Sequence, residues 1–507
     1  MSFLSLIWLI FAPILAALVI MFPRFPNHQV LVRRFAKWFA SIHFVYALLF
    51  LAFFDTGMFG MSYEKELTFF GMSWLKSLGI SAKFAVDGIA LLMVVLTTFI
   101  VLITLFMSKI HIRSKHKLYY SMVFLLESSI LGIFCAKDMF LFFVFWELSL
   151  IPVYFIVSQW GDSEARRAAI KFTLSSFVAN MFLLFGMLIL YYYNFAVSNV
   201  LTANIESLNM DEKIYPMWFQ IMVFVNFLIG FVIRVPFVPF HNWYPDIQSK
   251  AAAPVNILLA GMLLNTGVYG LIRFNMQVFP AIFKLFAPVL MVWGIVNIIY
   301  SGALSIVQSG IKKMVAYANV SSMGFVMVGL ACLNPTGFNG AVFMSIACAV
   351  VYSAFFVIIS CVQFRTKTTY ITALGGLGKV MPKCMYLALI ICFSAIGVPF
   401  LMMFTPKLMV LSGAMLSNLE QQLTVKIAAI IGLAAIVVSA GYIMYFFYKV
   451  FCSVLLEQWK KIKDLSPQET GVLSALCLII IYFGVYPMSI IQIYQSVSSI
   501  IIDVLQV

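Results

Sequence analysis

The sequence predicts an all-α polytopic membrane protein of about fourteen transmembrane helices, with helices seven and twelve broken. Three observations carry that expectation. Of 507 residues, 64% are hydrophobic and only 10% charged, at a mean hydropathy of +1.05. That is too little charge to cover a soluble surface of this length. Apolar runs of about 20 residues, the length that crosses the hydrocarbon core, recur along the whole chain. Basic residues are dense in every second connection between those runs and sparse in the others, as membrane topology demands.

Taken in order, the spans are expected at roughly 3–22, 35–54, 84–108, 118–135, 139–158, 170–194, 216–240, 255–275, 281–307, 312–332, 340–363, 384–414, 427–452 and 471–488. The opening run MSFLSLIWLIFAPILAALVIMF lacks a basic flank and a small-residue cleavage site, so it reads as a retained first helix. No amphipathic presequence stands before it, so an organellar protein of this kind would be made inside its organelle. Only Ala136, Lys137 and Asp138 separate spans four and five. No polar segment between spans is long enough to fold as a soluble domain.

Odd-numbered connections and their helix edges, beginning with Arg24, Arg33, Arg34 and Lys37 and then Lys109, Arg113, Lys115 and Lys117, hold 22 of the 32 lysines and arginines. Even-numbered connections hold eight, among them Lys65, Lys76, Lys83, Lys137, Lys213 and Lys426. The odd connections are therefore expected on the cytoplasmic or matrix side, with both termini on the other. The net charge of +14 is spread along these loops, which argues against a nucleic-acid partner. The eight cysteines are isolated and show no metal-ligand spacing, so neither a metal nor a disulfide framework is expected. Nucleotide loops, nucleophile elbows and dinucleotide fingerprints are absent from the sequence.

The segment FVIRVPFVPFHNWYPD, Phe231–Asp246, breaks span seven. Pro236 removes the helical bond to the carbonyl of Val232, and Pro239 removes the bond to that of Val235. Broken helices persist in a bilayer only where protein or a polar cavity satisfies the freed groups. Arg234 beside the break marks a polar site within the membrane. Val235-Pro236-Phe237 is echoed by Val398-Pro399-Phe400 in span twelve, each followed by a second proline and each near a buried base, Arg234 or Lys407. The two breaks lie five spans apart and so run in opposite directions, the pattern of inverted repeats around a transport path. The expected organisation is 1–117 for helices one to three, 118–275 for a first five-helix repeat, 281–452 for an inverted second one, and 453–507 for helix fourteen and a tail.

Intramembrane acids are costly and are normally paired or neutral. Glu147, in FLFFVFWELSLIPVYF, either handles protons with Arg234 as partner or forms a static ion pair that fixes packing. Glu127, one span earlier, either relays protons with Glu147 or hydrogen-bonds Ser128 and Ser129. Asp87 reads as a helix N-terminal acid. His241 follows the break and either shuttles protons or caps it. His28, His111 and His116 fall in connections, and His43 stands alone on an apolar helix. Lys171 either snorkels to the interface or reaches the polar axis.

Seven strings in register, VDGIALL, LLESSILGIFCAKDMFLFFVFWELSLIPVYF, AAIKF, RVPFVPFHNWYPD, LLAGMLLNTGVYGLIRF, IKKMVAYANVSSMGFV and LGGLGKVMP, resemble the antiporter-like proton-pumping subunits of respiratory complex I, in the chain 4 (subunit M) branch. The resemblance runs from about residue 84 to 410. It implies fourteen helices in two inverted repeats and a row of charged residues that moves protons, driven by electron transfer from NADH to ubiquinone elsewhere in the complex. Glu147 matches the glutamate of the family's FWE motif, Arg234 stands at the lysine of KVP, and His241 is the histidine of PFHTWLPD. Glu127 and Asp138 also fit the pattern. Several positions depart from it. Asn265 replaces a lysine, Lys407 a glutamate, Cys348 and Ser322 two histidines, Gly310 an aspartate, and Gln248 and Lys250 a histidine and a glutamate. Arginine is also far less able than lysine to release a proton.

The resemblance further implies other membrane-arm subunits and lipids as partners, with no cofactor, NADH or quinone on this chain. A mitochondrial inner membrane is expected from composition, a bacterial inner membrane being the alternative. The departures leave two competing readings beside proton pumping: a non-pumping structural subunit of the same arm, and an Mrp-type cation/proton antiporter subunit.

Overall fold

The computed structural model describes residues 5–22, 29–54, 62–66, 68–69, 72–73, 75–112, 114–208, 215–417 and 422–506. Arg24, His28, Arg113 and Lys213 lie outside them, as do the side chains of Lys65, Lys76 and Lys426. Helices α1 (Leu6–Met21), α2 (Gln29–Ala52), α3 (Gly88–His111) and α4 (His116–Cys135) match the first four spans. Span five is two abutting helices, α5 (Met139–Leu148) and α6 (Leu150–Trp160), and span six is α7 (Ala165–Ser198). Span seven divides into α8 (Met217–Arg234) and α9 (Trp243–Lys250), so it runs about ten residues further than 216–240 predicts.

Span eight contains α10 (Ala253–Leu258) and α11 (Leu264–Gly270), each followed by a wider π-helical turn, Leu259–Leu263 and Leu271–Met276. Then come α12 (Pro280–Ile306), α13 (Ile311–Ala331) and α14 (Pro335–Thr366). Span twelve is broken into α15 (Pro382–Ile396) and α16 (Phe404–Met415), and α17 (Gln422–Phe447) and α18 (Pro467–Val485) complete the predicted set.

Two features depart from the expectation. Residues 84–86, assigned to the start of span three, belong with Lys83 to a strand that pairs antiparallel with Ser62–Glu66. Helix α3 starts only at Gly88, where the Asp87 carboxylate accepts the Ala90 amide at 2.9 Å. The second departure is α19 (Met488–Gln506), read from sequence as a tail.

The connections sort to two ends. At the odd end, Lys115 reaches Gln159 at 2.6 Å, the Asp162 amide donates to Lys250 O at 2.9 Å, and Lys383 N donates to Asp464 at 2.9 Å. Arg365 also pairs with Glu469 there, at 2.6 Å. At the even end, Lys137 N bonds Lys83 O at 3.1 Å, Met139 N bonds Ala203 O at 2.9 Å, and Arg273 pairs with Asp87. This is the alternation the basic residues predict.

Helix α19 is apolar and long enough to cross a membrane, yet its contacts place it along the even end. Ile493 and Tyr494 pack on Gly88, the Tyr494 hydroxyl donates to Asn339 O at 2.9 Å, and Val497 and Ile501 line a cavity with Asp87 and Arg273. All those partners sit at the even ends of α3, α14 and span eight. A crossing helix would touch them at one tip only.

Span eight and α14 are buried along their whole apolar length and form the centre of the bundle. Helix α7 turns Leu174, Phe177, Val178, Met181 and Phe185 outward, an apolar face that suits lipid contact. Gly267 lets α11 approach the end of α8: an added Cβ would stand 3.0 Å from Phe231 O and 3.2 Å from Val235 N.

Candidate functional site: a polar axis joining two broken helices

Both breaks re-bond their backbone in the same way. Phe237 N donates to Val232 O at 3.1 Å, and Val398 N to Phe393 O at 3.0 Å, each reaching back five residues. The Val232 carbonyl freed by Pro236 is thus satisfied by the backbone itself. What remains is capped differently. At the first break the Trp243 indole donates to Ile233 O at 2.9 Å, the Trp293 indole to Val238 O at 2.6 Å, and Val238 N to Asn297 Oδ1 at 3.0 Å. At the second, the Lys407 ammonium donates to Ala395 O at 2.7 Å and Ile396 O at 3.1 Å. Lys407 therefore caps the C-terminal carbonyls of α15, where the helix dipole favours a cation. Gly397, at φ +96°, makes the turn beside the lysine stem.

Arg234 is buried at the C-terminus of α8, and its Nη2 donates to Ser149 Oγ at 2.6 Å. The guanidinium carbon lies 4.8 Å from the Trp146 ring and 5.7 Å from that of Phe172. Its Nε and Nη1 are buried without a hydrogen-bond partner. The expected Glu147–Arg234 ion pair does not form at contact distance among the described residues. Glu147 and Ser149 are two residues apart, about 200° around a helix. With Ser149 turned to Arg234, Glu147 faces a half-exposed apolar groove of about 690 Å³ lined by Phe143, Ile151 and Tyr154. Its polar neighbours are Asn180 and, electrostatically, Arg234. Asn180 also accepts the Trp146 indole at 2.8 Å.

His241 is buried on the short turn before α9, its ring 5.6 Å from Tyr300 and 6.0 Å from Tyr317. Lys171 is exposed at the odd end, where its ammonium bonds Asp246 at 2.5 Å and Asn242 O at 3.2 Å. Asp246 also holds Lys313 at 3.2 Å, tying α9 to α7 and α13. A polar cavity of about 850 Å³ opens on Asp246 from the odd end, lined also by Arg167, Lys312 and Lys367. In the connection beside it, the Lys250 ammonium bonded to Glu164 holds that carboxyl below the usual carboxylate range.

Between Arg234 and Lys407 the buried side chains are polar and largely neutral. The side-chain nitrogen and oxygen of Asn265 and those of Asn256 are buried without partners. The Tyr244 hydroxyl accepts from Gln248 at 3.0 Å and from Asn319 at 2.8 Å. The Tyr352 hydroxyl donates to Ala318 O at 2.8 Å, so Ser322 Oγ, at 2.6 Å, donates to it in turn. Cys348 is buried beside Ser322, Tyr244 and Lys407. Gly310 and Lys250 belong to the odd-end surface, outside this row. Sequence reasoning missed Ser149, Asn180, Tyr244, Asn319 and Tyr352. The available signal was the number of amides within apolar spans, since buried amides need partners.

Three further groups have other roles. Glu127 bonds neither Glu147 nor its neighbouring serines: Ser128 donates to Ile10 O at 2.6 Å, Ser129 to Leu125 O at 2.7 Å, and Glu127 pairs with His43 at 2.8 Å. Asp138 caps α5 through the amides of Phe140 and Leu141, at 3.0 and 3.2 Å. Asp87 both caps α3 and pairs with Arg273, whose guanidinium lies 4.8 Å from the Tyr269 ring. Among the described residues no group of three or more His, Cys, Asp or Glu could hold a metal, and the eight cysteines are unpaired.

Residues 136–432 match the family described as NADH:quinone oxidoreductase/Mrp antiporter, TM. NAD(P)H-quinone oxidoreductase chain 4 3 of Trichormus variabilis is 33% identical over 425 residues, covering 83% of this chain and 78% of that one. NAD(P)H-quinone oxidoreductase chain 4 of Acaryochloris marina is 32% identical over 495 residues, covering 96% and 90%. A chain of respiratory complex I from Thermus thermophilus with bound NADH shares the fold at a TM-score of 0.85 and 22% identity, over 99% of this chain and 100% of that chain. A chain of the Mrp complex from Dietzia sp. does so at 0.85 and 17%, over 99% and 98%. With its two broken helices and the polar row between them, the chain belongs to the NADH:quinone oxidoreductase/Mrp antiporter membrane family, among the chain 4 antiporter-like subunits.

Proposed function

We propose that this chain is a membrane-arm subunit of a respiratory NADH:quinone oxidoreductase and contributes to proton translocation coupled to electron transfer from NADH to quinone. The observation that carries the reading is the set of buried polar side chains lying between Arg234 and Lys407, the two cations at oppositely directed helix breaks. Charges are kept inside a membrane bundle at substantial cost and line ion paths when they are kept. Glu147 is the loading carboxylate, Arg234 the fixed charge beside it, His241 the link towards Asp246 and the odd-end cavity, and Lys407 the far cation. Residues 118–275 and 281–452 act as the inverted repeats.

The chain itself performs no redox step in this reading. Its partners are the other membrane-arm subunits and lipid, with no cofactor, NADH, quinone or nucleic acid on this chain. The membrane is an energy-coupling inner membrane. Composition suits the mitochondrial one, while the cyanobacterial relatives favour the bacterial one.

One observation supports a second reading, a non-pumping subunit that transmits charge state. The middle of the row has lost its titratable residues, with Asn265, Ser322 and Cys348 in their places. The Mrp-type reading has the shared fold and the family description behind it, while the chain 4 relatives named above are quinone-oxidoreductase chains. The deciding experiment is Glu147→Gln in the assembled complex. Proton transfer through this chain should slow by about 10²–10⁴-fold with assembly intact, the scale of losing one positioned proton-transfer group, and pumping per electron should fall by this chain's share. Unchanged proton-to-electron stoichiometry would sink the pumping role.

A further inference from the structure

A histidine–carboxylate pair lies outside the row described so far. His43 on α2 and Glu127 on α4 are 4% and 1% exposed. His43 Nδ1 stands 2.8 Å from Glu127 Oε1, and Nε2 stands 3.0 Å from the Leu9 carbonyl of α1. Phe39 stacks on the imidazole at 5.6 Å and fixes its plane. Glu127 Oε2 is buried and makes no hydrogen bond.

The Leu9 carbonyl can only accept, so Nε2 carries a hydrogen in every protonation state. The Nδ1–Oε1 contact then needs one proton, whichever atom holds it, because two lone pairs facing at that distance repel. With that single proton the pair has zero net charge, as imidazolium and carboxylate or as imidazole and carboxylic acid. Oε2 is the remaining atom that can accept another proton. Loading forms an O–H bond there and takes the pair to a charge of plus one. Release breaks the same bond and restores neutrality.

Its depth matches the established row. Gly132 of α4 packs on the Phe145 ring of α5, and α4 runs antiparallel to α5 and α6. Glu127 lies five residues earlier, about 7.5 Å along the helix. That places it level with Leu150, next to the serine that accepts from Arg234. Other titratable groups on the elements packed around the pair stand further off. Lys37 lies on α2 towards the odd end, 4.6 Å above the Phe106 ring, and the Tyr46 hydroxyl bonds Ser5 O at 3.3 Å on α1. Glu147 of α5 faces the outer groove.

We propose that His43 and Glu127 form a proton-loading dyad that extends the polar axis into the N-terminal helices. Glu127 Oε2 gains and loses the proton, and His43 is its positioning residue. The proposal rests on the proton-translocating reading above.

The test is infrared difference spectroscopy of the membrane-embedded complex across a pH step, which reads protonation without turnover, alongside pumping measurements. A carboxylic-acid band should appear in the wild type, vanish in Glu127→Gln and persist in Glu127→Asp. Proton transfer through this chain should slow by about 10²–10⁴-fold in Glu127→Gln, and pumping by the complex should fall by this chain's share. Identical spectra for wild type and Glu127→Gln overturn the dyad, as does unchanged pumping in that variant. Where Glu127→Gln does not assemble, His43→Gln carries the test, because its amide still donates to Leu9 O. An unshifted Glu127 band in that variant overturns the proposal. Loss of the translocating reading itself would show separately, as pumping untouched by Glu147→Gln while the Glu127 band remains.

Discussion

Lys407 is held by carbonyl oxygens rather than by a carboxylate, and this reverses the simplest expectation about its replacement. A glutamate there would match the resembling family, but in this chain it would set a carboxylate against the Ala395 and Ile396 carbonyls at the negative end of α15. Lys407→Met removes the donor and leaves two buried carbonyls under-satisfied, at about 1–3 kcal/mol. Lys407→Glu adds repulsion to the same loss. Thermal melting of the purified complex should therefore rank wild type above Lys407→Met and Lys407→Met above Lys407→Glu; a glutamate variant as stable as wild type would refute the capping role. Arg234 and Lys407 could be picked out from sequence because a charge beside a proline in an apolar run has few innocuous explanations. Their partners could not. Ser149 lies 85 residues from Arg234, and His43 lies 84 from Glu127. No local pattern in one sequence reports a contact made by helices that distant.

Helix α19 shows where the element-level rules fall short. The spanning rule asks for an unbroken apolar run, and Gln492, Gln495, Ser496, Ser498 and Ser499 interrupt this one. Its buried positions, Ile490, Ile491, Tyr494, Val497, Ile501, Ile502 and Leu505, instead follow the 3.6-residue stripe of a one-sided helix. Periodicity marks it as a one-sided helix, which hydropathy alone does not. The π turns flanking α11 were equally silent in sequence, because neither Leu259–Leu263 nor Leu271–Met276 contains a proline to mark it. The orientation of α19 can be checked by chemistry. Asp503 is exposed on its outer face, and Cys452 is exposed near the odd end after α17. In an Asp503→Cys variant, a membrane-impermeant thiol reagent should modify residue 503 only from the even side and Cys452 only from the odd side. Labelling of both from one side would mean that α19 crosses the membrane.

At the scale of the whole molecule, the span count and the sorting of connections were readable because they follow from bulk quantities, apolar length and loop charge. The mechanism does not. The row between Arg234 and Lys407 has hydroxyls and amides where the resembling family carries bases, and neutral groups can pass protons only through hydrogen bonds that reverse. The two readings of this chain therefore diverge at Tyr352. Its hydroxyl accepts from Ser322 and donates to Ala318 O, so it orients the Ser322 hydroxyl that stands beside Cys348 in the row. Tyr352→Phe removes that link while keeping the ring that stacks on Phe355 at 6.1 Å. The Ala318 carbonyl is inside α13 and keeps its helical bond, so the stability cost should be about 1 kcal/mol and assembly should persist. If protons travel along the row, proton transfer through this chain should slow by about 10²-fold at equal complex content, and the solvent deuterium isotope effect on pumping should change with it. If the row only transmits charge state, pumping by the complex and its isotope effect should match wild type, because Tyr352→Phe alters no charge.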